Sequence, residues 1–394
     1  MRPIDRRTFL ARSGALGGAI LLGGGFVLGA EERGAIRVGA TLPLGGPPFF
    51  ADDGLHQLLG YRLWVEDVNR AGGLLGRPVK LTVYDDRNDP GLAAQLFRRL
   101  IRDDGVDLLL GNYGSGLARA TIPVVEAARV PCVFPMAWQD ALWNSPHRYA
   151  APLLPPASVV CRPLAVYLER QGVARAAAIW ADNDYARDLA FSLRRWLADQ
   201  GITISYQAEY GKARPLEAVL AEAADTHPDV LAGGNIGDAI PDITTALGNE
   251  GLTFPASAYF ELDEPVLLQH RDALEGAIGF GLWLPTMPFP DNQRFVRDFA
   301  WRWEPEYPDR GVGLLLDHHS AAGYAAGQVT ERALRQAGSL DREAVRAALF
   351  TLDTATVFGP YRLDANGIQV GKQVPVVGYS NGLRTPLWLP SMGS

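Results

Sequence analysis

The chain has 394 residues, 47% apolar and 21% charged, with 37 basic and 44 acidic side chains and a formal net charge of −7. That length suits two domains, each with its own core, and the composition excludes a disordered chain or a coiled coil. Two cysteines exclude a disulfide-dense scaffold or a zinc finger, and the acidic balance would repel phosphate backbones, so no nucleic-acid partner is expected.

Residues 1–30 stand apart from the rest. They carry Arg2, Arg6, Arg7 and Arg12 against the single acid Asp5, followed by a weakly apolar run from Gly14 to Gly29. A basic head, a short apolar middle and a small-residue exit predict an export signal, and the Arg6-Arg7 pair before Phe9-Leu10 is of the twin-arginine kind. The run is short and glycine-rich for a membrane span. The remainder is therefore expected as a protein of the periplasm.

From residue 35 onward, short apolar runs alternate with helical patterns. A strand is predicted over 36–41 and a helix over 55–70, stopped by Gly72-Gly73, which take left-handed backbone without Cβ strain. A strand over 79–84 leads to Asp89-Pro90, an acid able to cap and a proline pre-set for the first helical position, which opens a helix to about residue 102. Strands over 106–111 and 130–134 flank a helix over 117–128. After Pro155-Pro156 the alternation restarts, with helices over 159–171, 186–200, 216–224 and 238–249. Strands fall between them over 176–180, 202–208 and 230–233, then over 255–260 and 277–283. Helices over 292–304, 321–337 and 341–349 follow. Such alternation predicts an α/β fold of two doubly wound parallel sheets, with the ligand site where strand ends and helix starts meet.

Several segments resemble one family in order and spacing: Val38-Gly39-Ala40-Thr41-Leu42-Pro43-Leu44, the run from Glu66 through Ala71-Gly72-Gly73 to Arg77, Tyr84-Asp85-Asp86, Asp89-Pro90, Asp104-Gly105-Val106-Asp107 and Pro123-Val124-Val125-Glu126. Over residues 35–380 the chain resembles the leucine/isoleucine/valine-binding type of periplasmic solute-binding proteins, with features of the branch that binds short amides and urea. The resemblance implies two lobes joined by a three-crossing hinge. The first takes residues 35–150 plus 288–356, the second 155–285 plus 360–390, and the crossings lie near 150–156, 284–290 and 357–361. It further implies a monomeric, non-enzymatic receptor that closes on a small solute and delivers it to an ABC-type permease, without a cofactor.

The same resemblance nominates contacts. Ser115 stands where the family keeps a hydroxyl, with a helix cap as the alternative role. Tyr113 matches an aromatic of the amide binders. Ala137 lies in a segment that supplies a backbone amide, and Trp138 stands where a second hydroxyl is usual. Tyr185 follows the acidic loop Asp182-Asn183-Asp184, Asn235 ends a strand, and Tyr259 or Glu261 falls near the acid that meets an ammonium. Phe49 and Phe50, in the first loop, complete an expected aromatic wall with few polar anchors, suited to a flat or apolar solute bearing one carboxylate or amide.

Other features carry less. Asp317-His318-His319 invites a metal reading, but adjacent histidines diverge and no third ligand stands at helical spacing, so a solvated helix start is expected and no metal. Asp85-Asp86 could look catalytic, but the resemblance implies a strand-end turn. Cys132 and Cys161 fall in apolar runs, and a bridge between them is not derivable from spacing. Gly114-Ser115-Gly116 lacks the glycine of a nucleophile elbow, which weakens an amide-hydrolase reading. An envelope sensor that reports a ligand to a signalling partner is the remaining alternative.

Overall fold

The computed structural model describes residues 25–27, 34–234, 239–262, 274–309 and 315–390. The expected export segment therefore lies outside the described residues except for β1 (Gly25–Val27), which pairs antiparallel with β3.

The first sheet runs β1-β3-β2-β4-β5-β6, from β2 (Ile36–Leu42), β3 (Val79–Asp85), β4 (Leu108–Leu110), β5 (Cys132–Phe134) and β6 (Ala150–Pro152), all five parallel. Helices α1 (Pro48–Arg70), α2 (Pro90–Arg102) and α3 (Ser115–Ala128) connect them, with a short α4 (Asp140–Trp143) before β6. Helices cover both faces, which is why β4 and β5 read as unbroken buried apolar runs. Asp89 caps α2 as its spacing predicts, accepting from the Gly91 and Leu92 amides at 2.7 and 3.0 Å.

The second sheet runs β15-β14-β11-β10-β9-β7-β8. Between the sheets, α5 (Ala157–Val160) and α6 (Arg162–Arg170) divide the expected 159–171 helix at Cys161. Then come β7 (Arg175–Ala181), α7 (Asp184–Asp199), β8 (Thr203–Tyr210), α8 (Leu216–Ala224), β9 (Val230–Gly234), α9 (Ala239–Glu250), β10 (Ser257–Tyr259) and β11 (Ile278–Phe280). These strands are parallel. The chain continues through α10 (Asn292–Trp303), α11 (His318–Ala337) and α12 (Arg342–Thr351) to a hairpin of β12 (Asp353–Thr356) and β13 (Gly359–Arg362). It ends in β14 (Val376–Ser380) and β15 (Leu383–Trp388), added antiparallel beside β11. The expected fold, two parallel α/β sheets, is the observed one.

Three boundaries differ usefully. α1 starts at Pro48 rather than residue 55, so Phe49 and Phe50 occupy a helical first turn and not a loop. α11 starts at His318 rather than 321, because Asp317 and Ser320 close a reciprocal cap: the Ser320 amide donates to Asp317 Oδ1 at 2.9 Å and the Asp317 amide to Ser320 Oγ at 3.0 Å. Ser115 begins α3 instead of capping it, and Gly114, at φ +83°, holds the cap position. Cys132 and Cys161 are both buried and both free thiols.

α1 and α11 pack at unusually short range. A Cβ at Gly60 would stand 2.1 Å from the Ser320 carbonyl oxygen, one at Gly323 2.5 Å from the Gln57 carbonyl, and one at Gly327 2.3 Å from the Trp64 ring. Further along, Trp283 Nε1 donates to Asn292 Oδ1 and to the Val357 carbonyl, and Lys372 Nζ donates to the Leu282 and Phe358 carbonyls, both at 2.6 Å. These buried polar bonds tie segments 282–292 and 357–372 together.

Candidate functional site

In each sheet the strand order reverses once, between β2 and β4 in the first and between β7 and β9 in the second. At such a point two neighbouring strands send their connections to opposite faces, leaving a crevice at their carboxyl ends. The connection after β2 enters α1, that after β4 carries Tyr113 and Ser115, and that after β7 carries Tyr185 into α7. Tyr113, Ser115 and Tyr185, nominated by the family resemblance, lie on these connections.

The two crevices face one another and touch. The Trp138 ring, from beyond β5, lies 5.4 Å from Tyr185 and 6.3 Å edge-on from Phe280, both of the second sheet's unit. Tyr185 Oη donates to Glu261 Oε2 at 2.9 Å. Glu261 is only 3% exposed, and its other oxygen lies 3.5 Å from His318 Nε2, from the start of α11. Trp138, Tyr185, Glu261 and His318 thus meet across the two units. Phe50 joins from the first, its ring 6.3 Å from Tyr113.

Ser115 is half-buried, and its Oγ accepts from the Trp138 and Gln139 amides at 3.1 and 3.2 Å, so it organises the loop carrying Trp138. Ala137 is buried beneath that loop, its carbonyl accepting from Trp143 Nε1 at 2.9 Å. Tyr259 is a core residue at 2% exposure, its ring against Gly234, while the carboxylate two residues on reaches the crevice. Asn235 lies outside the described residues.

The expectation of few polar anchors does not survive. Asp53 and His56, three apart on α1, meet Asp317 and His319 at the start of α11, and all four are buried. His56 Nδ1 and His319 Nδ1 both approach Asp317 Oδ2, at 2.7 and 2.9 Å, and Asp53 Oδ1 is 3.7 Å from His319 Nδ1. Tyr113 Oη donates to Asp53 Oδ2 at 2.6 Å, and its ring meets His319 edge-on at 5.2 Å. The expected solvated helix start is therefore a buried cluster. His318 and His319 do not diverge: their rings lie against one another with centroids 3.8 Å apart, tilted by 40°. The missing ligands stand on another helix, more than 250 residues away in sequence, so no local spacing pointed to them.

Burial sets the protonation pattern. It pushes the Asp53 carboxyl above its usual range, against the opposing pull of His319 and the Tyr113 hydrogen bond. At Asp317 burial acts in the same direction, but the charges and hydrogen bonds of His56 and His319 outweigh it and hold the carboxyl well below its usual range. Burial, then the neighbouring His319 charge, holds His318 well below the ordinary imidazole value, so it faces Glu261 neutral. Outside the cluster, Asp85 Oδ1 accepts from the Leu44, Gly45 and Arg87 amides, and Asp86 accepts from Thr41 Oγ1 and the Asn88 amide. The expected strand-end turn is what they build.

Comparison with known proteins supplies the frame. The periplasmic binding protein family model matches residues 35–382. The Leu/Ile/Val-binding protein homolog 7 of Brucella suis is 24% identical over 376 residues, which cover 89% of this chain and 90% of the relative. Among solved structures, an ABC transporter substrate-binding protein from Sphaerobacter thermophilus superposes with a TM-score of 0.78 at 23% identity, covering 91% of this chain and 98% of that one. A solute-binding protein of R. palustris in complex with benzoate gives 0.71 at 20% identity, over 90% and 96%. Among the described residues no helix is long and apolar enough to cross a membrane. The family and its fold are those of substrate-binding receptors and not of enzymes, and the chain belongs to the periplasmic binding protein family.

Proposed function

We propose that this protein is the exported receptor of an ABC-type importer, closing its two units on a small organic solute with a cationic or amide head and a flat or branched apolar body. One observation carries the reading: Trp138, Tyr185 and Glu261 converge from two separate α/β units, from beyond the carboxyl ends of β5, β7 and β10. A solute held there contacts both units only when they are closed, so its extra affinity for the closed form drives closure. Glu261 is the anchor for the head, since an ammonium in a buried crevice needs a paired charge. Trp138 and Tyr185 stack on the body. The hydroxyl missing at position 138 is replaced by an aromatic face, which argues for a solute larger and flatter than a simple aliphatic amino acid. The N-terminal segment takes the chain across the inner membrane as a twin-arginine signal, and the closed receptor, a monomer, docks on a permease.

The test is calorimetric titration of the purified protein with amino acids, amides and aromatic carboxylates. Binding of an amino acid or amide of this set, weakened at least tenfold in Tyr185→Ala and in Glu261→Gln, is the expected result, and binding of the aromatic carboxylates alone would overturn the assigned head. Undiminished affinity in both variants would move the site elsewhere.

A further inference from the structure

We propose that Asp53, His56, Asp317 and His319 form a binding site for one divalent transition-metal ion of the zinc class, clamping the start of α1 to the start of α11. The inference concerns one wall of the crevice and does not depend on the identity of the solute.

The geometry is the first ground. The four donor atoms lie within 4.8 Å of one another. A tetrahedral ion with bonds of about 2.0–2.2 Å separates its ligands by roughly 3.3–3.5 Å, so one ion reaches all four if the pairs at 2.7 and 2.9 Å open and the donors as far as 4.8 Å apart close by up to about 1.4 Å. The donors also arrive oriented. The other Asp317 oxygen is engaged by the Ser320 amide at 2.9 Å, which turns Oδ2 toward both imidazoles. The other Asp53 oxygen is engaged by Tyr113 Oη at 2.6 Å, which turns Oδ1 toward His319. Metal ligands are usually fixed in this way by partners behind them.

Charge is the second ground. Two carboxylates face this one buried centre, where a negative charge needs a positive partner. A dication bound by both carboxylates and both imidazole Nδ1 atoms brings the cluster to zero. The donor set then selects the ion: two imidazoles favour zinc, cobalt or nickel over magnesium or calcium, which take oxygen ligands. Four protein donors close the coordination sphere, as in structural zinc sites and unlike catalytic ones that keep a position for water.

The experiment uses the full-length chain purified folded, stripped with a chelator and titrated with ZnCl2 and separately with CoCl2. We expect saturation at one equivalent, the visible absorption of tetrahedral Co2+, and a lower melting temperature for the stripped protein than for the loaded one. His56→Ala and His319→Ala should each weaken Zn2+ binding by about 100-fold or more. His227→Ala, at an exposed histidine of the other unit, should leave it unchanged. Wild-type protein that is folded by circular dichroism yet takes up no saturable equivalent would overturn the proposal and establish a hydrogen-bonded Asp–His cluster instead. Binding that persists undiminished in both histidine variants would overturn it equally. Solute titration of the same samples is a separate readout, so loss of either site is distinguishable from loss of the other.

Discussion

Replacing Gly60 with alanine tests whether the crossing of α1 and α11 is as close as the structure has it. The new Cβ would stand 2.1 Å from the Ser320 carbonyl oxygen and 2.8 Å from the Tyr324 amide nitrogen. The first distance is more than 1 Å inside the ~3.5 Å at which such atoms attract. Both opposing atoms are backbone, so no side chain can rotate away and the helices must separate. Overpacking of this kind costs about 1–3 kcal/mol, and the rigidity of both partners puts Gly60→Ala at the upper end. Alanine's better helix propensity returns up to ~1 kcal/mol, leaving a net loss near 2 kcal/mol. The same displacement would pull Gln57 and Tyr61 from the Gly111 carbonyl, to which they donate at 3.1 and 2.6 Å, and so disturb the loop leading to Tyr113 and Ser115. The assay is denaturant unfolding of wild type, Gly60→Ala and Gly248→Ala. Gly248 lies exposed in α9 with open space around it, so alanine there should stabilise by up to ~1 kcal/mol. A Gly60→Ala protein within about 0.5 kcal/mol of wild type, the spread of ordinary surface changes, would show that the helices do not approach this closely.

Three further outcomes are expected. Burial raises the Asp86 carboxyl from 3.8 to about 7, against the lowering effect of Thr41 and the Asn88 amide. The folded state therefore holds that proton when the unfolded state has lost it, and stability falls as pH rises from about 4 to about 7, by a few kcal/mol at most. Asp86→Asn should gain stability over wild type across that window and hold the gain above it. A difference independent of pH would refute the assignment. Asn292 is buried, donating to the Pro285 and Met287 carbonyls and accepting from Trp283, so Asn292→Ala removes three buried hydrogen bonds, while Trp283 keeps the Val357 carbonyl and Pro285 the Gln293 amide, and should cost about 2 kcal/mol in thermal or denaturant unfolding. Removing the Tyr185 ring leaves the folded state with one fewer contact between the units, so Tyr185→Ala should unfold at nearly the wild-type denaturant midpoint while its solute affinity drops. A large stability loss instead would make Tyr185 a core residue.

The two sheets and most of their helices could be read from residue patterns because they rest on local physics. Leu108–Leu110 and Val230–Gly234 are apolar because both faces are covered, Asp89-Pro90 is a helix start wherever it folds, and Leu216–Ala224 declares its period within nine residues. The elements that escaped notice are short or depend on a distant partner. Ala150–Pro152 is a strand only because β5 lies beside it, and β14 and β15 exist through their antiparallel register with β11 and each other.

The candidate site divides along the same line. Tyr113, Ser115 and Tyr185 were nominated by the family resemblance, and they sit just past strand ends, a place that follows from the order of elements along the chain. Glu261 was nominated with its register open, and the fold buries it beside Tyr185. Asp53 and His56 carried no readable signal, because each is an unremarkable polar residue on its own helix, and Asp317 and His319 were set aside for want of a further ligand nearby in sequence. They become a cluster only when Gly60, Gly323 and Gly327 let two helices distant in sequence approach closely enough for their side chains to converge. Periodicity and capping are properties of neighbouring residues and survive in a bare string of letters. The meeting of charges across a helix crossing is a property of space, and exists only once the chain has folded.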